Sequence, residues 1–147
     1  MNFIWEKKHE TGIDKFDSQH KKLFELFNVL FNECVLKKNA SSVQETIIEL
    51  KLYTIFHIPV EEKLYKKYGY TNAEYEVQIE EHKTFVKSVA DFLADTTSPQ
   101  YDLGCRIADF LTVWIVDHIL GVDMKFISFL KKKHFTEISL DEDISYK

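Results

Sequence analysis

Apolar residues recur at spacings of three and four along four stretches of the chain, and this 3.6-residue period predicts four amphipathic helices. The first stretch carries Leu23, Phe24, Phe27, Leu30, Phe31 and Cys34, with Asp17 or Ser18 as its expected cap and Lys37-Lys38-Asn39 as its end. The second starts after Ser41-Ser42, where Glu45 follows Ser42 by three residues as in a capping box. It runs through Ile47, Ile48, Leu50, Tyr53 and Phe56 to about Tyr68-Gly69. Pro59 lies inside it and predicts either a bend near Phe56–Pro59 or two abutting helical pieces. The third stretch runs from Thr71 or Asn72 to Ala94 and is ended by Thr96-Thr97-Ser98-Pro99. The fourth runs from about Tyr101 to Lys133 through Leu103, Ile107, Phe110, Leu111, Trp114 and Ile115. No strand-like alternation or internal repeat stands out. Four helices joined by short loops predict an all-α, up-down-up-down four-helix bundle over residues 17–134. An irregular N-terminal arm (1–16) and an acidic C-terminal tail (135–147) flank it.

Composition narrows the class without changing that picture. With 147 residues, 45% of them hydrophobic, the chain can bury a core without staples. Only 4 Gly and 2 Pro are present, which suits a few long elements. The net charge of −5 gives no electrostatic reason to expect nucleic acid or an anionic membrane as partner. Lys131, Lys132, Lys133 and His134 read as a helix C-terminus complementing its dipole. Cys34 and Cys105 form no metal or redox spacing and read as small buried hydrophobes of a reducing compartment. The N-terminus lacks a continuous apolar stretch, so a cytoplasmic location without membrane anchor is expected.

The anomaly is polar. His20, His57, His82 and His118 fall on four different helices, each where the apolar face points inward. Glu61 follows His57 by four residues and Gln78 precedes His82 by four, so each pair shares a helix face. Asp123 follows His118 by five. At about 100° per residue those two side chains diverge by roughly 140° on an ideal helix. Either Asp123 reaches in from the flank, or the turn containing Gly121 is widened. A lone His–Glu pair is usually a surface pair, and a lone inward His is usually a hydrogen-bonded core residue; His9 and His134 lack such neighbours and receive no role. Buried together, these groups need a shared partner. Seven candidate side chains exceed what a single first-row ion uses, which suggests two metals, with two carboxylates able to bridge them. Imidazole and carboxylate suit Fe, Zn or Mn.

The ordered motifs resemble those of bacterial hemerythrins. Trp5, Gly12-Ile13-Asp14 and Asp17-Ser18-Gln19-His20-Lys21-Lys22-Leu23-Phe24 are similar to the opening of that family. Tyr53 through His57-Ile58-Pro59-Val60-Glu61-Glu62 resembles its His-Phe-x-x-Glu-Glu motif. His82-Lys83-Thr84-Phe85 resembles the second half of His-x-x-x-His. Trp114-Ile115-Val116-Asp117-His118-Ile119 with Asp123 resembles Trp-Leu-x-x-His-Ile-x-x-x-Asp. The resemblance implies a bundle core holding two Fe ions (Fe2+/Fe3+), one on His20 and His57, the other on His82 and His118. Glu61, Asp123 and an oxo or hydroxo group would bridge them. It implies dioxygen, or another small diatomic or oxidant, bound at the iron with fewer protein ligands. Leu23, Trp114, Ile115 and Ile119 would wall the pocket, although as sequence they are plain core.

Two departures from the family pattern stand out. Ile58 and Pro59 replace the usual Phe-x after His57. Gln78 stands where a further histidine is expected, and either ligates through its amide oxygen or hydrogen-bonds to a water or hydroxide there. Glu81 and Tyr75 are the substitutes within reach on the same helix, Glu81 needing a distorted turn and Tyr75 approaching only from the edge. Function then divides between a dioxygen carrier, store or sensor, with a separate signalling partner for sensing, and a di-iron redox enzyme fed by an electron donor. A metal-free helical interaction module is the third reading.

Overall fold

The computed structural model describes residues 2–133; His134 and the acidic tail 135–147 lie outside the described residues. Five α-helices form: α1 (Asp14–Leu30), α2 (Val43–Lys67), α3 (Ala73–Ala94), α4 (Gln100–Val113) and α5 (Asp123–Lys133). α1 continues as a π-helical segment over Phe31–Leu36, and α4 passes into α5 through another over Trp114–Val122. Four rods result, packed as an up-down-up-down bundle, and no strand occurs among the described residues. No helix among the described residues is long and apolar enough to cross a membrane.

Two hydrophobic clusters occupy the interior. The larger gathers Leu23, Phe27, Leu50, Phe85, Leu111 and Trp114; the smaller gathers Phe16, Leu64, Tyr65, Tyr70 and Phe126 at the other end. The polar residues singled out in the sequence sit where these clusters meet. The N-terminal arm is ordered against α1 and includes a 3-10 turn at Lys7–His9. Phe3 exchanges hydrogen bonds with the Asn28 side chain at 2.8 and 2.9 Å, and Trp5 sits edge-on to Phe24.

Several expected helix ends are corrected. α1 begins at Asp14, three residues before the expected cap. Asp17 instead turns back into the arm, where its Oδ1 accepts from the Thr11 amide and hydroxyl, each at 2.8 Å. The capping box at Ser42 does not form, since neither the Ser42 hydroxyl nor Glu45 caps the helix. The Ser42 carbonyl accepts from both the amide and hydroxyl of Thr46. Asn72 does cap α3, accepting from Tyr75 N.

α2 passes through Pro59 as one helix rather than two pieces. Pro59 lies on the outer face, as does Ile55, so the Ile55 carbonyl that loses its amide partner faces water. Beyond its last residues, Gly69 at φ +73° lets Tyr70 N reach Tyr65 O at 2.8 Å, a Schellman closure that pins the Tyr65 end.

Of the cysteines, only Cys34 is buried; Cys105 is half-buried. Gly104 lets α4 approach the π-helical end of the first rod closely, because a Cβ at 104 would collide with Cys34 Sγ.

Candidate metal centre

His20, His57, Glu61, Gln78, His82, His118 and Asp123 are all buried, at 0–2% relative exposure, and meet between the four rods. α1 supplies His20, α2 supplies His57 and Glu61, and α3 supplies Gln78 and His82. His118 lies inside the second π-helical segment and Asp123 opens α5. The widened turn explains their five-residue spacing. Asp123 N donates to the His118 carbonyl five residues back, so the two side chains share a face.

The groups form two overlapping quartets, His20–His57–Glu61–Asp123 and Glu61–His82–His118–Asp123. Each carboxylate divides its oxygens between them. Glu61 Oε2 is 3.3 Å from His57 Nε2, and Glu61 Oε1 is 3.1 Å from His82 Nε2. Asp123 Oδ2 is 3.4 Å from His20 Nε2, and Asp123 Oδ1 is 3.1 Å from His118 Nε2. Such disposition suits carboxylates shared by two cations.

Despite these approaches, Nε2 of all four imidazoles, Asp123 Oδ2 and Gln78 Oε1 lack a hydrogen-bond partner. Each such buried atom costs about 1–3 kcal/mol if left unsatisfied. The imidazoles and carboxylates converge as two quartets, and this donor set suits a pair of first-row divalent or trivalent cations.

The other ring nitrogens are mostly held from outside. His82 Nδ1 meets Glu62 Oε2 at 2.8 Å and His118 Nδ1 meets Glu81 Oε1 at 2.9 Å. His57 Nδ1 meets Gln19 Oε1. Such partners fix ring orientation and leave Nε2 to face inward. Gln19, Glu62 and Glu81 were not assigned this role from sequence; Glu62 and Gln19 adjoin Glu61 and His20, but their partners come from other helices. Glu81, weighed above as a substitute ligand, is turned to His118 instead. Tyr75 is half-buried and edge-on to Tyr65, with centroids 6.0 Å apart.

Gln78 reaches the site through its amide nitrogen, which donates to Asp123 Oδ1 at 2.9 Å. Tyr65, unassigned from sequence, donates its hydroxyl to Glu61 Oε1 at 2.5 Å. Leu23, Trp114, Ile115 and Ile119 are buried in the adjoining cluster, and the Trp114 ring stacks on His118 at 3.7 Å. A cavity of about 230 Å³ between α1 and α2, lined mainly by Leu23, Leu26, Leu52, Tyr53 and Phe56 with Gln19, Lys22 and Glu49 beside them, reaches His57.

Charge differs between the quartets. Burial pushes the His57 pKa down and prevails over the attraction of Glu61. Burial also disfavours charge on His82 and His118, but carboxylates outweigh it. Glu61 and Glu62 raise His82 to about 9, and Asp123 with Glu81 raises His118 to about 10. Burial and the Asp123 charge push Glu61 up, yet His57 and His82 hold it down at about 2. Burial, with the Glu61 and Asp123 charges, pushes the Tyr65 phenol well above its ordinary value.

Comparison with known proteins adds kinship to this geometry. The family model described as Hemerythrin HHE cation binding domain matches residues 11–130. A protein named bacteriohemerythrin from Clostridium acetobutylicum is 35% identical over 130 residues, covering 85% of this chain and 98% of the relative. A bacteriohemerythrin from Pseudomonas paraeruginosa is 29% identical, covering 86% of this chain and 80% of the relative. A hemerythrin-like protein from Naegleria gruberi is 32% identical, covering 84% and 90%. No solved structure matches.

Proposed function

Given that the chain belongs to the hemerythrin family, we propose that it holds two iron ions on the two quartets and binds dioxygen reversibly beside them. The observation that supports this best is the division of oxygens within Glu61 and Asp123, one facing each histidine pair. His20 and His57 would hold one ion, and His82 and His118 the other.

When bound, a ferrous pair supplies the two electrons that dioxygen takes up. The chain's own residues do the rest. Glu62, Glu81 and Gln19 keep three imidazoles aimed inward. Leu23, Trp114, Ile115 and Ile119 keep water out, which slows loss of electrons to solvent. The apolar cavity ending at His57 suits entry of a small uncharged ligand on the His20/His57 side.

The test is iron analysis with absorption spectroscopy under cycles of deoxygenation and reoxygenation. About two irons per chain and a spectrum that returns on each cycle support the reading. A chain that loads iron but never releases dioxygen refutes the carrier role. One observation favours a second reading, turnover of peroxide or another small oxidant. Gln78 contributes an amide already engaged by Asp123 where a third imidazole would stand. Peroxide consumption with a supplied electron donor, faster than in the Gln78→His variant, would establish it.

A further inference from the structure

Two neutral donors engage the shared carboxylates on the His82/His118 side of the site. Tyr65 Oη lies 2.5 Å from Glu61 Oε1, the oxygen that faces His82. Gln78 Nε2 lies 2.9 Å from Asp123 Oδ1, the oxygen that faces His118. Both shared carboxylates are thus engaged on the same side, by residues from two different helices.

The two donors are not equivalent. An amide nitrogen cannot ligate a metal, and Gln78 can offer only its Oε1, a neutral and weak donor. A phenol oxygen that gives up its proton is a hard anionic ligand, well matched to iron(III). The Tyr65 side chain is fully buried, and its ring lies within 17° of parallel to the His82 imidazole, their centroids 6.2 Å apart. Phe126 packs edge-on against Tyr65 with centroids 4.5 Å apart, and the Gly69 closure holds its backbone. Glu61 Oε1 is the hydroxyl's hydrogen-bond partner among the described residues, and this packing leaves the ring little freedom to turn elsewhere.

We propose that Tyr65 is a metal ligand of the His82/His118 ion, taking the coordination position that Gln78 does not supply with an imidazole. The inference rests on the two-iron reading above. In this chain a proton lies between Tyr65 Oη and Glu61 Oε1. On loading, the cation takes its place: the phenol O–H bond breaks, the proton leaves to solvent, and both oxygens become donors to the same ion. The oxidation state of the metal is unchanged in this step. Of the two residues considered from sequence, Glu81 is committed to His118 Nδ1, and Tyr75 is only half-buried, its ring edge-on to that of Tyr65.

The test uses the full chain, loaded with ferrous iron and then oxidised, and reads iron content together with resonance Raman spectra. The expected result for the parent is about two irons per chain and a visible phenolate-to-iron(III) charge-transfer band that enhances tyrosinate ring modes. Tyr65→Phe should abolish those modes and release iron to a chelator at least about tenfold faster. Gln78→His should also abolish them while keeping both irons, because an imidazole then takes the position. Circular dichroism of each metal-free variant checks folding; if Tyr65→Phe does not fold, the Gln78→His comparison decides alone. Two irons without tyrosinate modes in the parent overturn the proposal and leave the two-iron reading standing. Tyrosinate modes that survive Tyr65→Phe, as ligation by Tyr70 would produce, or that survive Gln78→His, overturn it too. Fewer than about two irons in the parent overturn both.

Discussion

Removing metal from this site should leave a bundle that weakens as pH rises. In the metal-free chain His82 and His118 hold their protons beside Glu61 and Asp123, with pKa values of about 9 and about 10 against an ordinary 6.5. A raised folded-state pKa means that the folded chain binds the proton more tightly than the unfolded one. The resulting stability is fully present below pH 6.5 and is lost as pH climbs through those two values. At 1.36 kcal/mol per pKa unit, His82 contributes roughly 3 kcal/mol and His118 roughly 5 kcal/mol. The two imidazoles share their carboxylates, so the joint loss falls below the sum, on the order of 5 kcal/mol. That is comparable with the whole stability of many small domains, about 5–15 kcal/mol. Urea denaturation followed by circular dichroism, on chelator-treated and zinc-loaded protein between about pH 6.5 and pH 9.5, measures it. The zinc-loaded chain serves as control, because coordination has already displaced both protons while lysines and tyrosines elsewhere titrate alike. A chelator-treated chain that follows the zinc-loaded trend within about 1 kcal/mol across the interval refutes the protonated pairs.

Further substitutions extend the test. Glu61→Ala should abolish binding of the metal pair and the rise in melting temperature on loading; full occupancy in that variant would show that Glu61 bridges nothing. Glu62→Ala and Glu81→Ala should each weaken metal affinity by about 10–100-fold in chelator competition, through lost aim of His82 and His118; unchanged affinities would refute the orienting role. Gly104→Ala drives a Cβ into Cys34 Sγ and places it 2.9 Å from Val43 Cγ2. Helix propensity favours alanine by about 1 kcal/mol, yet overpacking should leave the variant about 1–2 kcal/mol less stable than the parent. Adding Cys34→Ala should recover much of that loss, and a neutral Gly104→Ala would contradict the close approach.

The helices and the converging imidazoles were legible because both follow from period and residue type along one strand of text. Leu23, Phe27 and Leu30 announce a helix face, and a histidine on that face announces a buried polar group. What could not be read depends on neighbours distant in sequence. Asp17 looked like a cap, but Thr11 offers it two donors, so the helix starts earlier without it. Gln19, Glu62 and Glu81 act across helices, 38, 20 and 37 residues from their imidazoles. Tyr65 was invisible for another reason. It shares a face with Glu61 four residues away, a spacing that was in view, but a tyrosine on a hydrophobic face reads as packing until its hydroxyl is located. The five-residue gap before Asp123 was the exception, since the angular mismatch by itself called for a widened turn.

That widened turn also does something to everything after it. An uninterrupted α-helix continued from His118 would bring Val122 and Lys125 toward the interior and turn Ile127 away from it. Instead Phe126, Ile127 and Leu130 are buried and Lys125 is exposed. One extra residue has shifted the phase of the last rod, so that a single feature aligns a carboxylate with its histidine and swaps a lysine for a phenylalanine in the core. Deleting Gly121 would remove the widened turn and keep that phase: Asp123, Phe126, Ile127 and Leu130 would follow His118 by four, seven, eight and eleven residues, the stripe of an ordinary α-helix. The phase of this segment, set by the metal-binding groups upstream and by the packing of Tyr65 on Phe126 downstream, is met either by a widened turn with Gly121 or by an ordinary one without it.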